Sequence, residues 1–238
     1  LSYTMGVQSS HRINIAIDGP AGAGKSTVAR LVANALQYIY VDTGAMYRAV
    51  TAIALERGLS SEQEAEIGLL ARELAIELLP GDDGQRVLAG GSDITAKLRT
   101  HEVNRNVSAV SAIEAVRRRM ADLQRRMADS KGVVMDGRDI GTHVLPDAEL
   151  KVFLTASPRE RALRRFKELG DNPGITLDQL EIDIAERDRK DQEREFAPLL
   201  QAPDARYLDS TGLSVQEVAD RISEWGRAAT RTISAGEK

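Results

Sequence analysis

Residues Gly19-Pro20-Ala21-Gly22-Ala23-Gly24-Lys25-Ser26 fill every fixed position of the pattern G-x-x-x-x-G-K-[ST]. The flanks fit as well. Ile13-Asn14-Ile15-Ala16-Ile17 alternates as a buried strand does, and Thr27 to Leu36 carries Val28, Leu31, Val32 and Ala35 on one helical face. A strand, a glycine-rich loop and a helix in that order commit the chain to an α/β fold. The glycines let backbone N–H groups curl around an oxyanion without a Cβ clash. The helix N-terminus adds unpaired donors and partial positive charge. Gly19 to Thr27 are therefore the expected seat of the ATP phosphates, with Lys25 reaching the β- and γ-phosphates and Ser26 a ligand of Mg²⁺. The motif identifies a nucleotide, not a reaction.

The same rhythm continues. Ile39-Tyr40-Val41 and Val133-Val134-Met135-Asp136 read as strands, as do Leu150 to Leu154 and Arg206 to Asp209. Helices are expected over Ala45–Arg57, Glu62–Leu79, Val103–Asn106, Ala115–Ala128, Leu177–Glu195 and from about Ser214 onward. Ser157-Pro158-Arg159-Glu160 is a helix start with Pro in the first turn. Gln85–Leu88, Gly90-Gly91 and Ser92–Thr95 read as a hairpin that interrupts the alternation. The expected fold is a five-stranded parallel sheet of the P-loop NTPase type with helices on both faces, an insert and a small lid. A single domain over residues 11–234 follows. Its core is 11–61 and 102–234, its insert about 62–101 and its lid about 159–190, broken at Gly170–Gly174. Residues 1–10 read as an extension outside the fold, with Met5 as the natural start. Ligands of such sheets sit beyond the C-terminal strand ends, which points to Asp18, Asp42, Asp136, Thr155 and Asp209.

Composition removes several classes. There is no Cys, hence no disulfide or thiolate metal site. A net charge of −4 and only 4% aromatic residues argue against a nucleic-acid partner. No apolar stretch spans a bilayer and no secretory h-region opens the chain, so a cytoplasmic location and no membrane partner are expected. His11, His101 and His143 are scattered and read as neither catalytic nor metal-binding. The absence of any Asn-Lys pair disfavours a guanine-reading switch.

A longer set of segments narrows the reading. Ile15-Ala16-Ile17-Asp18-Gly19-Pro20, Asp42-Thr43-Gly44-Ala45-Met46-Tyr47-Arg48, Asp136-Gly137-Arg138-Asp139-Ile140-Gly141, Glu186-Arg187-Asp188-Arg189-Lys190-Asp191 and Asp209-Ser210-Thr211 occur in this order. Together they resemble the bacterial cytidylate kinases from about Ile13 to Ile222. The resemblance implies transfer of the γ-phosphoryl group of ATP to CMP, with dCMP as a second acceptor, and makes the insert a monophosphate-binding region. It implies Ser108, Arg117 and Asp139 around the acceptor base. Thr43, Arg48, Arg138 and Arg194 would lie at the acceptor phosphate, and Arg187 and Asp191 at the ribose. It places Arg161, Arg165 and Arg187 in a mobile lid, Arg161 on the ATP side. Lys25, Arg138, Arg165 and Arg187 would then be the catalytic cations.

The chemistry agrees. Cytosine offers an N4 amino donor to a carboxylate, whereas uracil would present a carbonyl there. A phosphate acceptor near its second pKa of about 6 needs no general base. The register of Arg117, Arg118 and Arg119 in the cleft stays open, as does that of Arg161, Arg164 and Arg165. Asp188 and Arg189 read as solvated or salt-bridged. A P-loop kinase for another monophosphate or a shikimate-like alcohol is the alternative, and a non-enzymatic nucleotide switch the reading from another class. The enzyme is expected to act as a monomer on small molecules alone.

Overall fold

The computed structural model describes residues 11–81, 85–170 and 174–236. Five parallel strands form the main sheet: β1 (Asn14–Asp18), β2 (Ile39–Asp42), β6 (Val133–Gly137), β7 (Leu150–Thr155) and β8 (Arg206–Asp209). Their spatial order is β2-β6-β1-β7-β8. β1 is central, pairing Ile17 with Asp136 on one side and with Val152 on the other. All five of its residues are buried, as a doubly covered parallel strand requires. Its alternation divides the core. Ile13, Ile15 and Ile17 pack with Val28 and Val32 of α1 (Lys25–Leu36) and Val218 and Ile222 of α8 (Val215–Gly236). Ala16 faces the opposite cluster, which holds Met46 and Val50 of α2 (Thr43–Glu56) and Val116 and Met120 of α5 (Glu114–Ala128).

Local chemistry starts these helices where they start. The Asp42 carboxylate accepts from the Ala45 N–H at 2.9 Å and caps α2. Thr100 caps α4 (His101–Ala112), and Ser157 caps α6 (Pro158–Leu169) with Pro158 in its first turn. α7 (Leu177–Glu193) returns beside α6, and the pair encloses a small cluster of Ala162, Leu180 and Ile184. α6 and α7 occupy the stretch in which a lid is expected.

The insert departs from expectation. The helix expected over Glu62–Leu79 ends early: α3 spans Glu64–Glu73, and Ile76–Leu79 is strand β3. Leu74 and Ile76 are buried while Ala75 and Glu77 are exposed, which is a period of two. β3 pairs antiparallel with β4 (Arg86–Ala89), which pairs with β5 (Ser92–Asp93) across Gly90-Gly91. The expected hairpin is thus two strands of a three-stranded sheet. Nor is the insert a separate unit. Ile67, Leu70, Val87 and Ala89 belong to the same apolar cluster as Val41 and Met135. Gln85 fastens it to the edge strand, accepting from the Asp42 N–H at 3.1 Å and donating to the Tyr40 carbonyl at 2.8 Å. α4 is longer than the short helix expected at Val103–Asn106. The expected extension 1–10 and parts of the two breakers, 82–84 and 171–173, lie outside the described residues.

Candidate active site

The loop Gly19–Gly24 joins the end of β1 to α1, and Gly24 sits in the left-handed region at φ 83° directly before Lys25. Gly19 is required by proximity: a Cβ there would stand 1.9 Å from the Leu154 carbonyl oxygen of β7. Lys25 is buried, and its Nζ donates to the Pro20 carbonyl at 2.7 Å. Ser26 Oγ donates to Asp136 Oδ2 at 2.9 Å, while the Tyr40 hydroxyl holds Oδ1 at 2.9 Å. Burial, aided by Asp42, pushes the Asp136 carboxyl up to about 6. Asp18 accepts from the N–H groups of Ile140 and Gly141 at 2.8 and 2.7 Å, and burial raises it to about 7 despite them. It thereby ties the turn after Asp139 to the strand that carries the phosphate loop.

Beyond β6 the charges alternate in a row. Arg117 Nη2 lies 2.6 Å from Asp139 Oδ1, and both side chains are buried. Arg194 follows, 4.0 Å from Asp139 and 3.8 Å from Asp191. Arg138 Nε then donates to Asp191 Oδ2 at 2.9 Å. Arg117 also lies over the Tyr47 ring at 5.0 Å. Of the three neighbouring arginines, Arg117 is buried, Arg118 pairs with Glu114 at the surface, and Arg119 is half-buried. Ser108 is half-buried on α4, but no hydrogen bond joins it to the Arg117–Asp139 pair among the described residues; Arg117 Nη1 instead reaches the Ser111 carbonyl at 3.1 Å. Thr43 is buried too, its hydroxyl spent on the Asp136 carbonyl at 2.6 Å.

Several cations converge without such partners. Arg187 Nε is buried and makes no hydrogen bond among the described residues. Among the described residues Arg48 donates to the neutral Asn104 side chain, at 2.7 Å. Burial first, then Arg138 and Arg187, pushes Lys25 down to about 7. Burial and Arg187 lower Arg48 to about 10, and burial and Arg138 lower Arg187. Cations that depress one another are poised to receive a polyanion.

The α6 arginines differ in role. Arg165 pairs with Glu168 of its own helix at 3.0 Å and is partly exposed. Arg164 binds the hydroxyl and carbonyl of Ser210 at 3.1 and 3.0 Å. Arg161 is buried and donates to the Ala21 and Ala156 carbonyls. Asp188, read from sequence as solvated or salt-bridged, is a buried partner of Arg161 at 2.6 Å. Beside the loop a cavity of about 200 Å³ is lined by Gly22, Thr27, Arg164, Ser210, Leu213 and Val215. Sequence reasoning left Arg164 open among the α6 arginines and assigned none of the last three; the Asp209-Ser210-Thr211 segment was the available signal. Asp209 itself is exposed and accepts from the Thr211 N–H at 2.9 Å.

For a metal, the donor set at hand is the Ser26 hydroxyl and the Asp136 carboxylate, hard oxygens that suit Mg²⁺ held mainly by phosphates and water. No group of three or more His, Cys, Asp or Glu forms a metal cage among the described residues. No helix among them is long and apolar enough to cross a membrane.

The chain matches the family description "Cytidylate kinase" over residues 15–227. It is 51% identical over 221 residues to a cytidylate kinase of Exiguobacterium sibiricum, covering 92% of this chain and 99% of that one. It is 53% identical over 214 residues to a cytidylate kinase of Geobacillus kaustophilus, covering 90% and 96%. A solved structure of an uncharacterized protein from Eubacterium ventriosum is 14% identical with a TM-score of 0.52, covering 92% and 99%, and shares the fold alone.

Proposed function

Because the chain belongs to the cytidylate kinase family, we propose that it transfers the γ-phosphoryl group of ATP to CMP, giving ADP and CDP, with dCMP as a second acceptor. The observation that carries this reading is the buried Arg117–Asp139 pair at 2.6 Å beside the unpaired cations. A buried ion pair is a poor device for stability. As a base reader it is well built. The carboxylate accepts from the cytosine N4 amino group, and the guanidinium, anchored on Tyr47 and the Ser111 carbonyl, donates to O2 or N3. Uracil would set a carbonyl against Asp139 and leave a buried acceptor unpaired.

The reaction is then an electrostatic problem. The acceptor phosphate is itself the nucleophile, so the task is to bring two polyanions into line. Arg48, Arg138 and Arg194 bind the acceptor phosphate. The loop N–H groups and Lys25 bind the β- and γ-phosphates, with Arg187 and Arg165 placed to neutralise the group in transit. Asp191 sits at the ribose, and Ser108 borders the base. Thr43 borders the acceptor phosphate and is fixed there by its hydrogen bond to the Asp136 carbonyl. Mg²⁺, when bound with ATP, would be held at Ser26 and Asp136 and would supply charge neutralisation. The cavity at Arg164, Ser210, Leu213 and Val215 suits the adenine ring. The α6–α7 pair acts as the lid and the insert as the acceptor-binding region. An alcohol acceptor would need a general base, and the buried carboxylates nearest the loop are committed, Asp18 to two backbone N–H groups and Asp136 to two hydroxyls. The chain works as a monomer on small molecules: its large exposed apolar residues, among them Ile39, Leu69, Ile182 and Tyr207, are dispersed over different elements.

The test is ADP release in the presence of ATP and Mg²⁺ with CMP, dCMP, UMP, AMP and GMP as acceptors. Strong preference for CMP and dCMP is expected. Preference for UMP or AMP would overturn the base pocket, and no acceptor-dependent ADP would overturn the kinase.

A further inference from the structure

The phosphate loop is irregular backbone, so its shape must be held from outside. At Ala21 both backbone polar groups are held by the lid. Its N–H donates to Asp188 Oδ1 at 3.2 Å, and its carbonyl accepts from Arg161 Nη1 at 2.9 Å. The same Nη1 reaches Asp188 Oδ2 at 2.6 Å, and Arg161 Nε reaches the Ala156 carbonyl, just past β7, at 2.9 Å. One guanidinium therefore joins the sheet, the loop, α6 and α7. Approach is close: a Cβ on Gly22 would lie 3.2 Å from the Arg161 Cβ.

Two features argue that this joint does more than hold helices together. First, Arg161 and Asp188 are 4% and 9% exposed, and burying two charges costs more than an apolar contact would at the same place. Second, the core that α6 and α7 form of their own is small, with Ala162, Leu180 and Ile184 buried and Leu169, Ile175 and Leu177 partly buried among the described residues, so the polar joint is a main root of the lid. Asp188 also neutralises Arg161, which keeps that cation from competing with Lys25 for phosphate.

We propose that Asp188, acting with Arg161 through Ala21, is a positioning residue for the ATP phosphates: the root of the lid sets the shape of the phosphate loop. The proposal rests on the loop binding ATP and not on which acceptor is used. Asp188 and Arg161 bond to each other and to the Ala21 and Ala156 backbone, so the effect assigned to them here is on loop shape.

The test compares Asp188→Asn, Asp188→Ala and Arg161→Lys with wild type. ATP affinity is measured calorimetrically without acceptor, and KM for ATP and for CMP in the full reaction. Asparagine keeps an acceptor for the Ala21 N–H but removes the counter-charge of Arg161; alanine removes both the acceptor and the counter-charge. The expected result is weaker ATP binding, about tenfold for Asp188→Ala, the size of one charge-assisted hydrogen bond, and less for Asp188→Asn. KM for CMP should stay within about twofold. Arg161→Lys, which cannot span Ala21 and Ala156 together, should resemble Asp188→Ala. Should the alanine variant fail to fold, Asp188→Asn and Arg161→Lys carry the comparison. Unchanged ATP affinity, or equal rises in both KM values, would overturn the proposal and leave the pair a general structural contact. Absence of turnover with CMP in the wild type would instead overturn the assignment of CMP as acceptor, while the calorimetric comparison still judges the joint.

Discussion

Arg138 donates to Asp191, yet Asp191 keeps Arg194 at 3.8 Å when Arg138 is removed. Arg138→Ala should therefore lower kcat by about a hundredfold, the usual cost of one preorganised donor, with Tm little changed. Steady-state kinetics beside a thermal melt check both halves. Asp139 is different because it is buried against Arg117. Asp139→Asn should cut the preference for CMP over UMP by about a hundredfold and lower Tm as well, since Arg117 keeps its burial and loses its counter-charge. Competing acceptors in one assay measure the first effect.

Asp18 yields a prediction on pH. Burial raises its carboxyl from 3.8 to about 7 in the folded protein. Between these values the folded chain holds a proton that the unfolded chain has released, so the stability contributed by this group falls as pH rises from 4 to 7. Asp18→Asn gives up one backbone acceptor and should melt lower at every pH. It should also remove part of that downward slope. Melting curves for both proteins from pH 5 to 8 test it, and parallel curves would contradict the assignment.

At the scale of elements, the strand–loop–helix unit depends on how closely the loop passes β7. Gly19→Ala would set a methyl 1.9 Å from the Leu154 carbonyl oxygen, a rigid neighbour. The loop must then move. ATP binding should fall by more than tenfold and Tm by several degrees, read by calorimetry and by thermal melts. The pattern of elements was largely legible in the sequence, because strands and helices of a buried α/β core carry clear periods. The Ile76–Leu79 strand was not. Its apolar residues follow a helical run without a breaker, and only pairing with Arg86–Ala89 makes them a strand.

At the scale of the whole molecule, the proposed site is bordered by three parts: the sheet ends, the insert fastened by Gln85, and the α6–α7 pair joined to the loop at Ala21. A ligand that bridges such parts stabilises the fold by mass action. CMP at about a hundred times its Kd should add about 2.7 kcal/mol, a rise in Tm of roughly 5–10 °C for a chain of this size. UMP at the same concentration should add less, and an equal shift would count against the Arg117–Asp139 base reader.

By itself the sequence determined the phosphate loop, the parallel α/β class and the ordered segments that carry the family resemblance. Those depend on residues close together along the chain: glycines with the freedom a loop needs, a capping carboxylate before a helix, an apolar run of fixed period. Only the tertiary structure decided the strand order β2-β6-β1-β7-β8, which of the neighbouring arginines turns inward, and that Asp188 is buried against the loop. Arg117 and Arg118 are chemically identical in sequence, and α5 packing alone buries the first and leaves the second at the surface. Ala21 and Asp188 are 167 residues apart. Contacts of that separation leave no local period, so they emerge only when the sheet, the loop and the lid are brought together.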